Sequence, residues 1–426
     1  MALLLAACGD DGGADGSVDT GPTDAGPDAD ALVDTGPYVP PPPPPPPPSE
    51  PGLHDVEVID TRQIVPGDGL PPEVVPQDAN NNLDVVRHAD GRVYLAFRTA
   101  PTHFADEDVQ MHVVSSGDEV TWDYETTFDL GHDLREPRFL SLGDTLFLYV
   151  ARLGSTPTAF EPQGTSYASR AADGTWSDLA PLSDLGEGSF IVWRTKMERG
   201  TPYMIVYEGG ENIYTDGEPL NIELRTTADG ITWTALNPMR PVISTGGGSE
   251  TDFALSDGGD LFGIIRNEAG DELGWGSKVC SAPASDITDW TCVGDPKKYD
   301  SPLMFWHDGE AYLVGRRNVT ETGNYDVMSE RGDRLAMTFE NQFQYVTAPK
   351  RCSLWRWVQG ENRIAYILDL PSAGDTCFPG RLLGESPDEI VIYNYSSDPE
   401  GPDYAWNQGQ IHPTNIYRHV LRFTRR

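Results

Sequence analysis

The feature that most constrains this chain is a period. An apolar strand that follows a turn and ends in a polar residue returns about every 55 residues. The copies are Val93–Arg98, Leu146–Arg152, Tyr203–Glu208, Leu261–Arg266, Ala311–Arg316 and Ile390–Tyr395, and their ends lie 54, 56, 58, 50 and 79 residues apart. A second track is a turn ending in tryptophan. It falls at Trp122, Trp176, Trp233 and Trp290, spaced 54, 57 and 57.

Repeats of this length built only from strands and turns predict propeller blades of four strands each. Six copies predict an all-β fold, a six-bladed β-propeller over residues 53–426, with His54–Ile64 closing the ring against the last blade. The tryptophan turn is clearest at Thr227–Trp233, with Ser169–Trp176 close to it. In such a turn Asp229 accepts backbone N–H groups, Gly230 takes positive φ, and Trp233 packs between blades. The role is structural.

Strand direction then locates a site. If the innermost strand of each blade runs down from the top, the second returns there, and the tryptophan turns between the third and outer strands fall at the bottom. Around the axis at the top, the inner-strand starts offer Asp84, Glu136, Glu187, Glu250 with Asp252, Asp300 and Asp375. The second-strand ends offer Arg98, Arg152, Glu208, Arg266, Arg316 and Tyr395. Carboxylates alternating with guanidiniums in a concave mouth suit a sugar or a carboxylate ligand; the alternative is ion pairing between blades.

Charge excludes one class of partner. The chain has 30 Lys+Arg against 67 Asp+Glu, a formal net charge of -37, and no basic footprint for nucleic acid. Hydrophobic content of 38% still builds a core. The 44 glycines and 36 prolines imply turns rather than long helices, and no apolar run is long enough to span a membrane. The histidines form no HxxxH or HxH pair, and no metal site is expected beyond a structural calcium ion that loop carbonyls and Asp side chains would permit. No cofactor is expected, and the chain is expected to be a monomer.

Residues 1–8 resemble the end of a bacterial lipoprotein signal, with Cys8 as the lipidation site after Leu3–Ala7. The basic start and most of the apolar run of such a signal are missing. Residues 9–52 read as an acidic, disordered linker, and Pro40–Pro48 as a stiff polyproline II spacer of about 28 Å. An exported domain held off the outer membrane or cell surface by a lipid anchor is the expectation. Export permits disulfides among Cys280, Cys292, Cys352 and Cys377; Cys280 with Cys292 would staple one hairpin and Cys352 with Cys377 another.

The turns of the Thr227–Trp233 form resemble the Asp-boxes of the sialidase superfamily, a likeness that extends over most of residues 54–426. Trp193-Arg194 followed by Gly200–Tyr203 is similar to blade three of bacterial sialidase-like propellers, and Ser249–Thr251 with Arg266 to blade four. Leu370–Gly380 with Tyr393–Ser397 resembles the last blade, and Thr414–Tyr417 the closing strands. The resemblance implies that Glu250 is the base and that Arg266, Arg316 and a compensating Arg98 bind the carboxylate of an acidic sugar. Arg194 and Tyr395 join the substrate-binding set, and Asp375 or Asp84 is the acid.

Two places depart from that pattern. Asn82–Asp84 occupies the region of the family's first-blade Arg-Ile-Pro start, the loss for which Arg98 would compensate. Phe378 stands where the family's nucleophilic tyrosine is expected, and phenylalanine has no oxygen with which to attack. Tyr393 or Tyr395 would have to substitute, or water would have to attack directly between two carboxylates about 6.5–9.5 Å apart. Three readings follow: an exo-glycosidase acting on terminal acidic sugars, a catalytically inactive glycan-binding module, and a protein-interaction propeller.

Overall fold

In the computed structural model, residues 42–157, 161–185, 190–209, 219–327 and 333–426 are described. Cys8 and Glu187 lie outside them. The strands form six antiparallel sheets arranged as the blades of a propeller. The first four innermost strands are Ala79–Arg87, Leu134–Leu142, Phe190–Glu198 and Thr251–Leu255. The fifth is Asp300–His307, and the sixth is split into Ala373–Thr376 and Gly380–Leu383. Each pairs with the apolar strand that the period marks: Val93–Ala100, Thr145–Arg152, Thr201–Glu208, Leu261–Asp271, Glu310–Asn318 and Glu389–Ser397. These second strands are almost wholly buried, which is why their composition made the repeat visible.

His54–Val65 pairs antiparallel with the final strand Asn415–Arg425 and becomes the outer strand of the last blade. The first strand of the domain thus closes the ring on its last, as the sequence predicts. The chain just before it is docked as well. Glu50 N donates to Tyr366 O at 2.8 Å, and the Glu50 carboxylate pairs with Arg363 at 2.7 Å and Arg356 at 3.2 Å. Pro44 and Pro47 are half-buried three residues apart, the polyproline II period, so one edge of that segment faces protein. The expected free-standing spacer therefore has its C-terminal end fixed to blade five.

The tryptophan turns lie between third and outer strands, away from the mouth. Asp229 Oδ1 accepts Ile231 N at 2.8 Å and Thr232 N at 2.7 Å, and these bonds hold its carboxyl down at about 2. Gly230 has φ +76°, and a Cβ there would meet the Phe147 ring at 2.4 Å. Trp233 packs edge-on to Tyr149 of the preceding blade, and Trp176 likewise to Phe128. Trp122 meets Tyr393 of the last blade.

Cys280 and Cys292 are cross-strand neighbours within blade four and are disulfide-bonded. Cys352 and Cys377 are also bonded, but not within one hairpin. Cys352 belongs to the third strand of blade five, and Cys377 follows the first inner segment of blade six, so this bond ties neighbouring blades beside Phe378.

Candidate functional site

The inner strands are irregular where they reach the top. Their register slips between Asn81 and Leu83, Arg135 and Arg138, Val192 and Arg194, and Asp300 and Leu303. Asn82, Glu136 and Ser301 at these bulges have φ of 44°, 51° and 52°. A bulge turns a side chain that would lie flat between blades toward the axis. All three of these residues line a single cavity of about 180 Å³ at the mouth, with contributions from every blade.

Glu250 is part of its lining. Its Oε1 lies 2.7 Å from Arg266 Nη1, and its Oε2 accepts Ser301 N at 2.6 Å. Burial, with the charges of Asp300 and Glu136 adding to it, outweighs Arg266 and pushes the Glu250 carboxyl up to about 7. Arg266 Nη1 also stands 3.1 Å from Glu268, and its Nε donates to Ser249 Oγ at 2.9 Å. Lys298 reaches Glu268 at 2.7 Å, and Gln342 of the helix Arg334–Val346 donates to the other Glu268 oxygen. Burial works against the Glu268 anion, but Arg266 and Lys298 hold its carboxyl below the usual range.

Arg316 stands on the same flank. It donates to Asp300 at 3.0 Å, to Thr376 O at 2.6 Å and to Cys377 O at 3.2 Å, and it lies over the Trp406 ring at 4.6 Å. Asp300 bridges the two arginines, with its other oxygen 3.8 Å from Arg266. Tyr395 lines the wall beside Arg316, its hydroxyl donating to Asp375 at 2.9 Å. Burial and Asp375 together push that phenol far above its usual value.

The other expected site residues sit behind the wall. Asp375 does not line the cavity. It is fully buried and receives Tyr395, Trp406 Nε1 at 2.8 Å and His103 Nδ1 at 2.7 Å, so it fixes three residues that do. Burial opposes its charge, but His103 and the hydrogen bonds hold its carboxyl low, which unfits it as an acid. Asp84 accepts Phe139 N at 2.7 Å between blades one and two. Arg98 is fully buried, donating to Asp133 at 2.7 Å and to the carbonyls of Thr102 and Phe104. It supports the loop that carries His103. Arg194 donates to Pro302 O at 2.9 Å and stands 3.5 Å from Asp252, again without reaching the cavity lining.

Phe378 lines the cavity and packs edge-on to Trp193 at 5.4 Å. Arg138 lies 4.3 Å from its ring, and burial pushes that guanidinium down to about 9. Tyr393, considered as a substitute nucleophile, instead hydrogen-bonds Glu119 of a tryptophan turn at 3.0 Å.

Sequence reasoning missed His103, Arg135, Glu268, Lys298, Gln342 and Trp406. For one of them a signal existed. Glu268 lies two residues beyond Arg266 on the same strand, and residues two apart on a strand share a face. His103, Gln342 and Trp406 come from connections between strands, whose position follows no period.

No family model matches the chain, and no curated protein matches it. Solved structures do. A protein of unknown function from Dyadobacter fermentans matches at TM-score 0.55 and 14% identity, over 87% of this chain and 99% of that one. The endosialidase of phage phi92 matches at 0.54 and 12%, covering 88% and 70%. A Trypanosoma rangeli sialidase in complex with the inhibitor DANA matches at 0.52 and 14%, covering 81% of this chain and 55% of that one. At such identities the likeness is one of fold: a six-bladed propeller shared with sialidases.

Proposed function

We propose that this chain is a surface-tethered exo-glycosidase of the sialidase type, which takes the terminal acidic sugar of a glycan end-on into the axial cavity. The observation that carries the reading is the placement of Glu250, buried at the mouth against Arg266 with its carboxyl poised at about 7. A base is most effective when its pKa lies near the working pH. Arg266 and Arg316 on one flank face the acidic group, and Phe378 and Trp406 give apolar surface for the ring. A cavity of about 180 Å³ suits one sugar rather than a chain of them. The sialidases of the same fold support the reading, as does the tether read from Cys8 and the proline-rich segment.

A second reading has its own observation. With Phe378 in place of a tyrosine, the pocket is also that of a glycan-binding module that does not turn over. Calorimetry with sialyllactose, alongside release of 4-methylumbelliferone from its sialoside and glucuronide, separates the two. Binding with turnover that Glu250→Gln abolishes supports the enzyme. Binding without turnover supports the module, and the absence of both removes the sugar reading.

A further inference from the structure

Building on the glycosidase reading, we infer that Glu136 is a second catalytic residue: the general acid that works opposite Glu250 in a direct attack of water on the sugar. Hydrolysis without a protein nucleophile needs two carboxylates on opposite faces of the ring, far enough apart to admit a water. Among the described residues the cavity is lined by three, Glu136, Glu250 and Glu268. Glu268 cannot be the partner of Glu250, because both face the same Arg266 nitrogen and so stand on one side. Its oxygens are also held by Lys298 and Gln342.

Glu136 enters from a different blade. It belongs to blade two and Glu250 precedes the inner strand of blade four, so blade three, with Tyr207 on the cavity wall, lies between them. Its backbone is held at φ 51°, a conformation that costs energy in a residue with a side chain and that aims this one at the mouth. Its Oε2 is buried without a hydrogen-bond donor among the described residues, and Arg138 Nη2 stands 3.8 Å away. Burial raises the affinity of this carboxyl for a proton against the pull of Arg138 and Arg135. Asp375 and Glu268 are shifted the opposite way.

The step balances. Water gives a proton to Glu250 as its oxygen bonds to the anomeric carbon. The bond from that carbon to the leaving oxygen breaks, and the proton of Glu136 goes onto that oxygen. One water is consumed, and a sugar of inverted anomeric configuration is released with the alcohol. Solvent then returns the proton from Glu250 to Glu136.

The test compares Glu136→Gln with the unaltered full chain on the 4-nitrophenyl and methyl glycosides of N-acetylneuraminic acid. Nitrophenolate leaves without protonation and methanol does not. The expected result is a fall in kcat/KM of about 10²–10⁴-fold on the methyl glycoside and less than about tenfold on the nitrophenyl one. The alkaline limb of the pH profile should vanish with it, and NMR of the first product formed should show inversion. Equal losses on both leaving groups, or a product of retained configuration, would overturn the assignment. Absence of turnover by the unaltered protein overturns it too, while sialyllactose binding measured in parallel shows whether the sugar site itself stands.

Discussion

Glu250 Oε1 lies 2.7 Å from Arg266 Nη1, although the two residues come from opposite ends of adjacent strands in blade four. Strand pairing brings them together: Thr251 faces Ile265, and Arg266 N donates to Glu250 O at 2.8 Å. The pair is thus a by-product of hairpin register, and every prediction about the mouth depends on it.

Glu250→Gln should abolish hydrolysis while leaving the fold intact. It should also change the pH dependence of stability. Unfolded, the carboxyl releases its proton near 4.5; folded, it keeps it to about 7. Between those values the folded state binds more protons, so stability falls as pH rises, by about 3 kcal/mol over the window. Denaturant titrations from pH 4.5 to 8 should show this slope in the unaltered protein and a flatter one in the variant. Identical slopes would mean that folding leaves the Glu250 carboxyl unshifted.

Among the described residues, the four cations lining the mouth already face carboxylates: Arg135 meets Asp133, Arg266 meets Glu250, Lys298 meets Glu268 and Arg316 meets Asp300. An acidic sugar therefore joins a paired network. Its affinity should exceed that of its methyl ester by no more than about tenfold, some 1.4 kcal/mol. Calorimetry on the two ligands checks this, and a thousandfold gap would contradict it.

Trp233→Ala should lower the melting temperature without altering sugar binding. The ring is 2% exposed, packs on Tyr149 and lies in the turn on the face opposite the mouth. Truncation should cost about 3–5 kcal/mol. A folded variant with lost binding would show that the turn reaches the site.

Replacing both Cys352 and Cys377 by serine should destabilise the domain by about 3 kcal/mol, from the 25-residue separation the bond closes. Because Cys377 precedes Phe378, ligand affinity should weaken as well, whereas loss of the Cys280–Cys292 bond in blade four should leave affinity unchanged. Equal effects of the two pairs on binding would argue against a special role for the bond beside Phe378.

The sequence by itself determined the architecture. Blade count, the strand that closes the ring and the face carrying the tryptophan turns all follow from local signals repeated along the chain: a buried second strand at a fixed period, and an Asp-x-x-Thr-Trp turn whose bonds are made within a few residues. Strand direction also placed Glu250, Arg266, Arg316 and Tyr395 at the mouth, because the ends of paired strands have fixed positions. Tertiary structure alone decided which polar side chains face the axis. Asp84 and Arg194 fall inside their strands rather than at the mouth ends, and inter-blade hydrogen bonds hold them, Arg98 and Asp375 out of the cavity lining. Bulges turn Asn82, Glu136 and Ser301 toward it. Whether a strand end points inward depends on contacts between residues far apart in the chain, and no period within one strand encodes those contacts.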